Sequence, residues 1–208
     1  MNFLFSAFLR SKSAGKKISF IALFSALSTI TNMILEIKIS DIQFSVSIAV
    51  SCLNGIVLGP VFGFVSCFVG DLIGFFLNSW GQLYYFWVGL STGCFAFLSG
   101  IIFGIKSSKN YAVFIKILAF SIISFIVCTV CINSVGFYIY NRKIGFSDAF
   151  LSYVETAVGG KNTGFFVYLA YRLFFKGQCF NSLINYALLF IILPLIKSMP
   201  SLKDKLAL

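Results

Sequence analysis

The 208 residues are 59% hydrophobic and only 11% charged, with a formal charge of +10. A soluble globular domain carries roughly 25% charged residues, so these charges are too few to cover a water-facing surface and a soluble enzyme is excluded. Phenylalanine alone supplies 27 residues, and its ring carries no polar atom that would need a partner in lipid. The composition reads as a polytopic, all-α membrane protein.

The N-terminal residues 1–17 place Arg10, Lys12, Lys16 and Lys17 after a short apolar stretch, the reverse of a cleavable signal, and read as an amphipathic basic arm on the inner surface. Apolar runs long enough for ~30 Å of hydrocarbon follow. The first is Ile18 to Ile37 and the second Ile42 to Leu58. Gly59-Pro60 turns into a third run ending near Leu77. The fourth spans about Tyr84 to Ile105, before the polar loop Lys106 to Asn110. The fifth runs from Val113 to Tyr140, and the sixth from about Phe180 to Ile196. Between them, residues 141–176 read as a long outer connection, partly helical and lying at the membrane interface. Residues 18–197 thus form a six-helix transmembrane domain, and 198–208 a basic tail. With six spans, ten basic residues share the side of the termini and six the other, so both termini are expected in the cytoplasm.

Absences narrow the chemistry. No histidine is present, so neither a proton relay nor a triad can form, and no G-x-x-x-x-G-K-[ST] phosphate loop exists. Cys128 and Cys131 form a CxxC, but inside an apolar helix, where cysteine acts as a small hydrophobe. No catalytic residue, metal or cofactor is expected. Asp71 is the carboxylate deep inside a span, and reads as functional or as a hydrogen-bonding brace between helices. The aromatic and polar stretch Asn78 to Trp87 reads as an interfacial belt or as a stacking wall for a planar ligand, with Gln82 and Asn78 as hydrogen-bonding groups and Trp87 the stronger candidate for stacking. Arg172 could hold a carboxylate or phosphate, or snorkel to headgroups, and sits near the polar group Gln178, Asn181, Asn185 and Tyr186. Small residues recur at four-residue spacing, at Gly55/Gly59, Gly59/Gly63, Gly70/Gly74, Gly89/Gly93, Ala96/Gly100 and Gly100/Gly104, as helix-packing ridges. The pair Ala22/Ala26, on an outermost helix, could equally face another subunit.

These motifs resemble a known group. Ala22-Leu-Phe-Ser-Ala26 is similar to the first helix of the substrate-binding (S) components of energy-coupling factor (ECF) transporters. The runs Val57-Leu-Gly-Pro-Val-Phe-Gly63, Val69-Gly-Asp-Leu-Ile-Gly74 and Leu98-Ser-Gly-Ile-Ile-Phe-Gly104 follow the order of the folate-type members. The resemblance covers residues 17 to 105 well. It departs at Phe86-Trp-Val-Gly-Leu-Ser-Thr92 and in the length of the 141–176 connection. It implies a bacterial cell-membrane subunit of an ABC importer that binds a vitamin, folate first, near the outer face. A transmembrane coupling protein and two cytoplasmic ATPases would drive it. The resemblance places Ala22 and Ala26 at the coupling protein, matches Asp71 to the family aspartate, and matches Arg172 to a basic residue before the last helix. Location adds Gln43, Gln82, Trp87 and Asn185 as candidate ligand contacts. Riboflavin, thiamine, pantothenate or a queuosine precursor are the alternative cargoes. A stand-alone channel or facilitator and a structural assembly factor are the alternatives of another class.

Overall fold

The computed structural model describes residues 4–33, 37–39, 42–77, 83–105, 111–160 and 163–198. The expectations for Gln82, Asn78, the Lys106–Asn110 loop and the tail from 199 onward lie outside the described residues, as does the side chain of Gln43. The apolar runs become helices. A one-turn helix α1 (Ala7–Arg10) precedes α2 (Ala14–Met33), and a short antiparallel hairpin, β1 (Ile37–Ile39) with β2 (Ile42–Phe44), leads to α3 (Ser47–Leu58). Next come α4 (Pro60–Leu77), α5 (Phe86–Gly104) and the long α6 (Ala112–Ile144). Helix α7 (Asp148–Tyr153) continues through a π-turn, Val154–Val158, and α8 (Phe165–Phe175) ends in another, Tyr171–Phe175. Helix α9 (Gln178–Ser198) closes the chain.

Among the described residues, four helices are long and apolar enough to cross a membrane: α4, α5, α6 and α9. Helix α2 starts earlier and ends earlier than the apolar run Ile18 to Ile37 suggests. Ile37, at the end of that run, belongs to β1, where its backbone pairs with Phe44. At 33 residues α6 is ~50 Å long, well beyond the hydrocarbon thickness. Its C-terminal end therefore extends past the bundle and leads into α7 and α8.

Surface and interior are inverted relative to a soluble protein. Ile18, Leu23, Ile73, Phe76, Ile115, Leu118, Ile122, Leu183 and Ile191 are exposed, while Ser28, Thr31, Ser51, Asn54, Ser99 and Asn185 are buried. Without a hydrophobic force between helices in lipid, close backbone approach and hydrogen bonds hold the bundle. Nearly every small-residue ridge in the sequence serves this purpose. A Cβ on Gly55 would fall onto the Ala96 carbonyl, one on Gly63 would meet Gly55 at 2.8 Å, and one on Gly100 would meet the Pro60 nitrogen at 2.6 Å. Ser99 donates to the Cys52 carbonyl (2.9 Å), fastening α5 to α3. On α4, Gly70 lies against Ser28 of α2 and Gly74 against Thr29 and Asn32. Ala22 and Ala26 are different, since both are exposed.

The arm before α2 does not lie free on a surface. Ser6 donates its N–H to the Leu58 carbonyl (3.1 Å) and its hydroxyl to the Val57 carbonyl, capping the end of α3. Phe5 stacks on Phe62 and Leu9 is fully buried. Gly59 makes room for this: its φ is +96°, and a Cβ there would strike the Phe5–Ser6 backbone. Two hydrophobic cores result. One lies among α3, α5, α6 and α9, around Cys52, Ile56, Phe95, Phe103, Ile117 and Leu189. The other is an aromatic core of the 141–176 region, built on Phe150, Val154, Tyr168 and Tyr171.

Candidate functional site

The polar and aromatic candidates gather at one end of the bundle, opposite α1, where α2 ends, the hairpin sits and α5 and α9 begin. Asp71, two thirds of the way along α4, accepts from Asn32 Nδ2 at 2.9 Å and from the Tyr84 hydroxyl at 3.2 Å. One carboxylate thus joins α2, α4 and the segment before α5, with Gly89 leaving space for the Tyr84 hydroxyl above it. Burial first, and then the nearby Asp71, push the Tyr84 hydroxyl above its ordinary pKa, so it remains a donor. The geometry is that of a brace.

Asn185 is equally committed. Its Oδ1 accepts from the Ala49 N–H (3.0 Å), while Nδ2 donates to the carbonyls of Ser45 (2.6 Å) and Asn181 (2.8 Å). Asn181 Oδ1 accepts from the Ser45 N–H at 2.9 Å. Helix α3 has no side-chain cap of its own, so α9 supplies the missing N-terminal acceptor from across the bundle. This fixes Ser45 one residue beyond β2, and with it the base of the hairpin that carries Gln43.

Trp87 and Arg172, 85 positions apart in sequence, meet on the C-terminal part of α6. Trp87 lies over Gly136, where a Cβ would fall within its ring, and contacts Phe137 (centroids 5.4 Å) and Tyr140 (5.8 Å). Tyr85 packs on the same two residues at 4.9 and 5.0 Å. The Arg172 guanidinium sits 4.1 Å above the Phe137 ring, an arrangement strengthened by desolvation. Arg172 is only 8% exposed, and both its Nε and the Trp87 Nε1 are buried without a hydrogen-bond partner. The site is therefore an aromatic wall edged by a buried cation. Sequence reading placed Trp87 and Arg172 in it but missed Phe137 and Tyr140, which appear only as part of an apolar helix. Spacing offers a weak signal, since Phe137, Tyr140 and Asn141 recur on one helical face. Among the described residues no cluster of His, Cys, Asp or Glu could hold a metal ion.

Apolar helices long enough to cross a bilayer, packed through buried glycines around an aromatic, cationic end, define a polytopic membrane protein of the binding or transport class. The family model for the S component of ECF-type riboflavin transporters matches residues 12–160, and the chain belongs to that family. It is a family of transporter components rather than of enzymes. No individual curated protein matches the chain. The matched region includes Ala22, Ala26, Asp71 and Trp87, whereas Arg172 and Asn185 lie beyond it.

Proposed function

We propose that this chain captures a vitamin at the outer face of a bacterial cell membrane and delivers it inward with a transmembrane coupling protein and two ATPases. Helices α2 to α6 and α9 are the six spans, and both termini are cytoplasmic. Support for that orientation comes from α1, which packs under the α3–α4 turn among Arg10, Lys12, Lys16 and Lys17. The exposed Ala22 and Ala26 form the face for the coupling protein, because the other small-residue pairs are spent inside the bundle.

The vitamin stacks on the wall of Trp87, Tyr85 and Tyr140, with Gln43 and Gln82 as further contacts. Asp71 and Asn185 act by holding the helix ends and the hairpin in place. The buried Arg172 guanidinium carries the choice of cargo. A cation at 8% exposure is costly unless a bound anion repays its desolvation, and folate brings both a planar pterin and carboxylates. The family description favours riboflavin, which is planar but uncharged, and this is the second reading. Mass spectrometry of small molecules released from the purified protein separates the two. Folate is the expected product, and riboflavin in its place overturns the choice. Release of neither, with no binding of either on titration, overturns vitamin capture by these two classes.

A further inference from the structure

The last third of α6 (Val135–Ile144), α7 and α8 form a unit with its own aromatic core, separate from that of the bundle. Within it, Asn141 Nδ2 donates to the Tyr168 hydroxyl at 2.7 Å, joining α6 to α8. The chain enters this unit through a π-helical stretch, Phe125–Ser134, and leaves it through another, Tyr171–Phe175. In the first, the Ser134 hydroxyl donates to the carbonyl of Thr129, five residues back, at 2.8 Å. Long π runs are rare in proteins and concentrate at functional sites. The unit meets α5 through ring contacts of Tyr85 and Trp87 with Phe137 and Tyr140, each individually weak.

A second observation falls on the same seam. Among the described residues, five buried side-chain atoms lack a hydrogen-bond partner, and four of them fall at the ring contact or in and next to the two π stretches: Asn133 Oδ1 in the first π stretch, Trp87 Nε1 at the ring contact, Arg172 Nε in the second π stretch, and Gln178 Oε1 at the start of α9. An orphaned buried polar atom raises the energy of the state that contains it. The closed arrangement thus carries unpartnered polar atoms at the ring contact and at both π stretches, and its contacts with α5 separate easily.

We infer that residues 135–175 are a cap hinged at the two π-helical stretches, which opens to admit the vitamin to the Trp87 wall and closes over it. The inference rests on the vitamin-capture reading for its purpose, though not for its motion. Bonding to the fifth rather than the fourth residue lets ten π-helical residues wind about as far as eight α-helical ones. Removing two residues therefore converts the hinge to plain helix while leaving both flanking faces in register. Ile126 and Val127, both exposed, are the residues to remove.

The test uses full-length protein in detergent in a Trp80→Phe background, so that Trp87 is the single tryptophan reporter. Deleting Ile126 and Val127 is expected to lower acrylamide quenching of Trp87 severalfold and to slow amide exchange across the remaining stretch by about tenfold. Gly136→Ala drives a Cβ into the Trp87 ring and is expected to raise the quenching instead. Unchanged quenching in both variants, with helical circular dichroism and a single size-exclusion peak, overturns the hinge. If the deletion does not fold, unchanged quenching in Gly136→Ala alone overturns it. Folate and riboflavin association, followed by stopped-flow Trp87 fluorescence, is expected to slow by about tenfold in the deletion. Should the parent bind neither, vitamin capture fails while the quenching result still decides the hinge.

Discussion

Asn185→Leu removes a trans-acting helix cap while keeping the number and branching of side-chain heavy atoms. In the native protein one amide serves the Ala49 N–H at 3.0 Å and the Ser45 carbonyl at 2.6 Å, and Asn185 has no exposed surface. Leucine fills the space but leaves a donor and an acceptor of the backbone buried and unserved. Each costs about 1–3 kcal/mol, so the loss is about 2–6 kcal/mol. For a chain of this size that corresponds to a fall in Tm of roughly 10 °C. Thermal unfolding in detergent, read by intrinsic fluorescence, measures it. Asn185→Asp keeps an acceptor for Ala49 while giving up the donor to Ser45, and is expected to fall between. Because Ser45 follows directly on the hairpin, proteolysis or exchange of residues 42–46 should accelerate in step with the loss. An Asn185→Leu protein with unchanged Tm and an unchanged hairpin would refute the capping argument.

Other outcomes follow from the same geometry. Ala22→Leu with Ala26→Leu should leave vitamin binding within twofold and abolish uptake in cells carrying the coupling machinery; continued uptake refutes the docking face. Asp71→Leu removes the acceptor for Asn32 and Tyr84 and should cost about 2–4 kcal/mol of stability, whereas Asp71→Asn keeps part of the brace, so thermal melts should rank wild type, Asn, Leu. Arg172→Met should weaken folate by at least about tenfold in titration calorimetry, with riboflavin affected far less; equal losses refute an anion-reading role. Gly55→Ala sets a methyl group against the Ala96 carbonyl, where neither backbone can yield, and is expected to eliminate folded protein on size exclusion.

Much of the architecture was legible because a bilayer simplifies the code. Segment lengths and breaks at Gly59-Pro60 and Lys106–Asn110 delimit helices whatever their packing, as α3, α4 and α5 show. The hairpin was not legible. Ile37 continues an apolar run, and only pairing with Phe44 marks it as a strand. Candidate residues were found by type but not by role. Asn185 and Asp71 are polar groups in apolar helices, and sequence alone cannot say whether such a group points at a ligand or at a backbone amide. Phe137 and Tyr140 were invisible for the opposite reason, since aromatics in a span are unremarkable until Trp87 lies against them.

The sequence by itself therefore determined the solvent of this protein, the course of most of its long apolar helices, and the absence of histidine and nucleotide-loop chemistry. Those properties follow from composition and run length, which no packing can change. Tertiary structure decided which small-residue ridges are consumed and which remain. Gly55, Gly63, Gly70 and Gly100 look no different from Ala22 and Ala26 in the sequence, yet the former lie against neighbouring helices and the latter do not. It also brought Trp87 and Arg172 together on Phe137. Both outcomes depend on how each helix is rotated about its axis, and that rotation is fixed only when every helix packs at once.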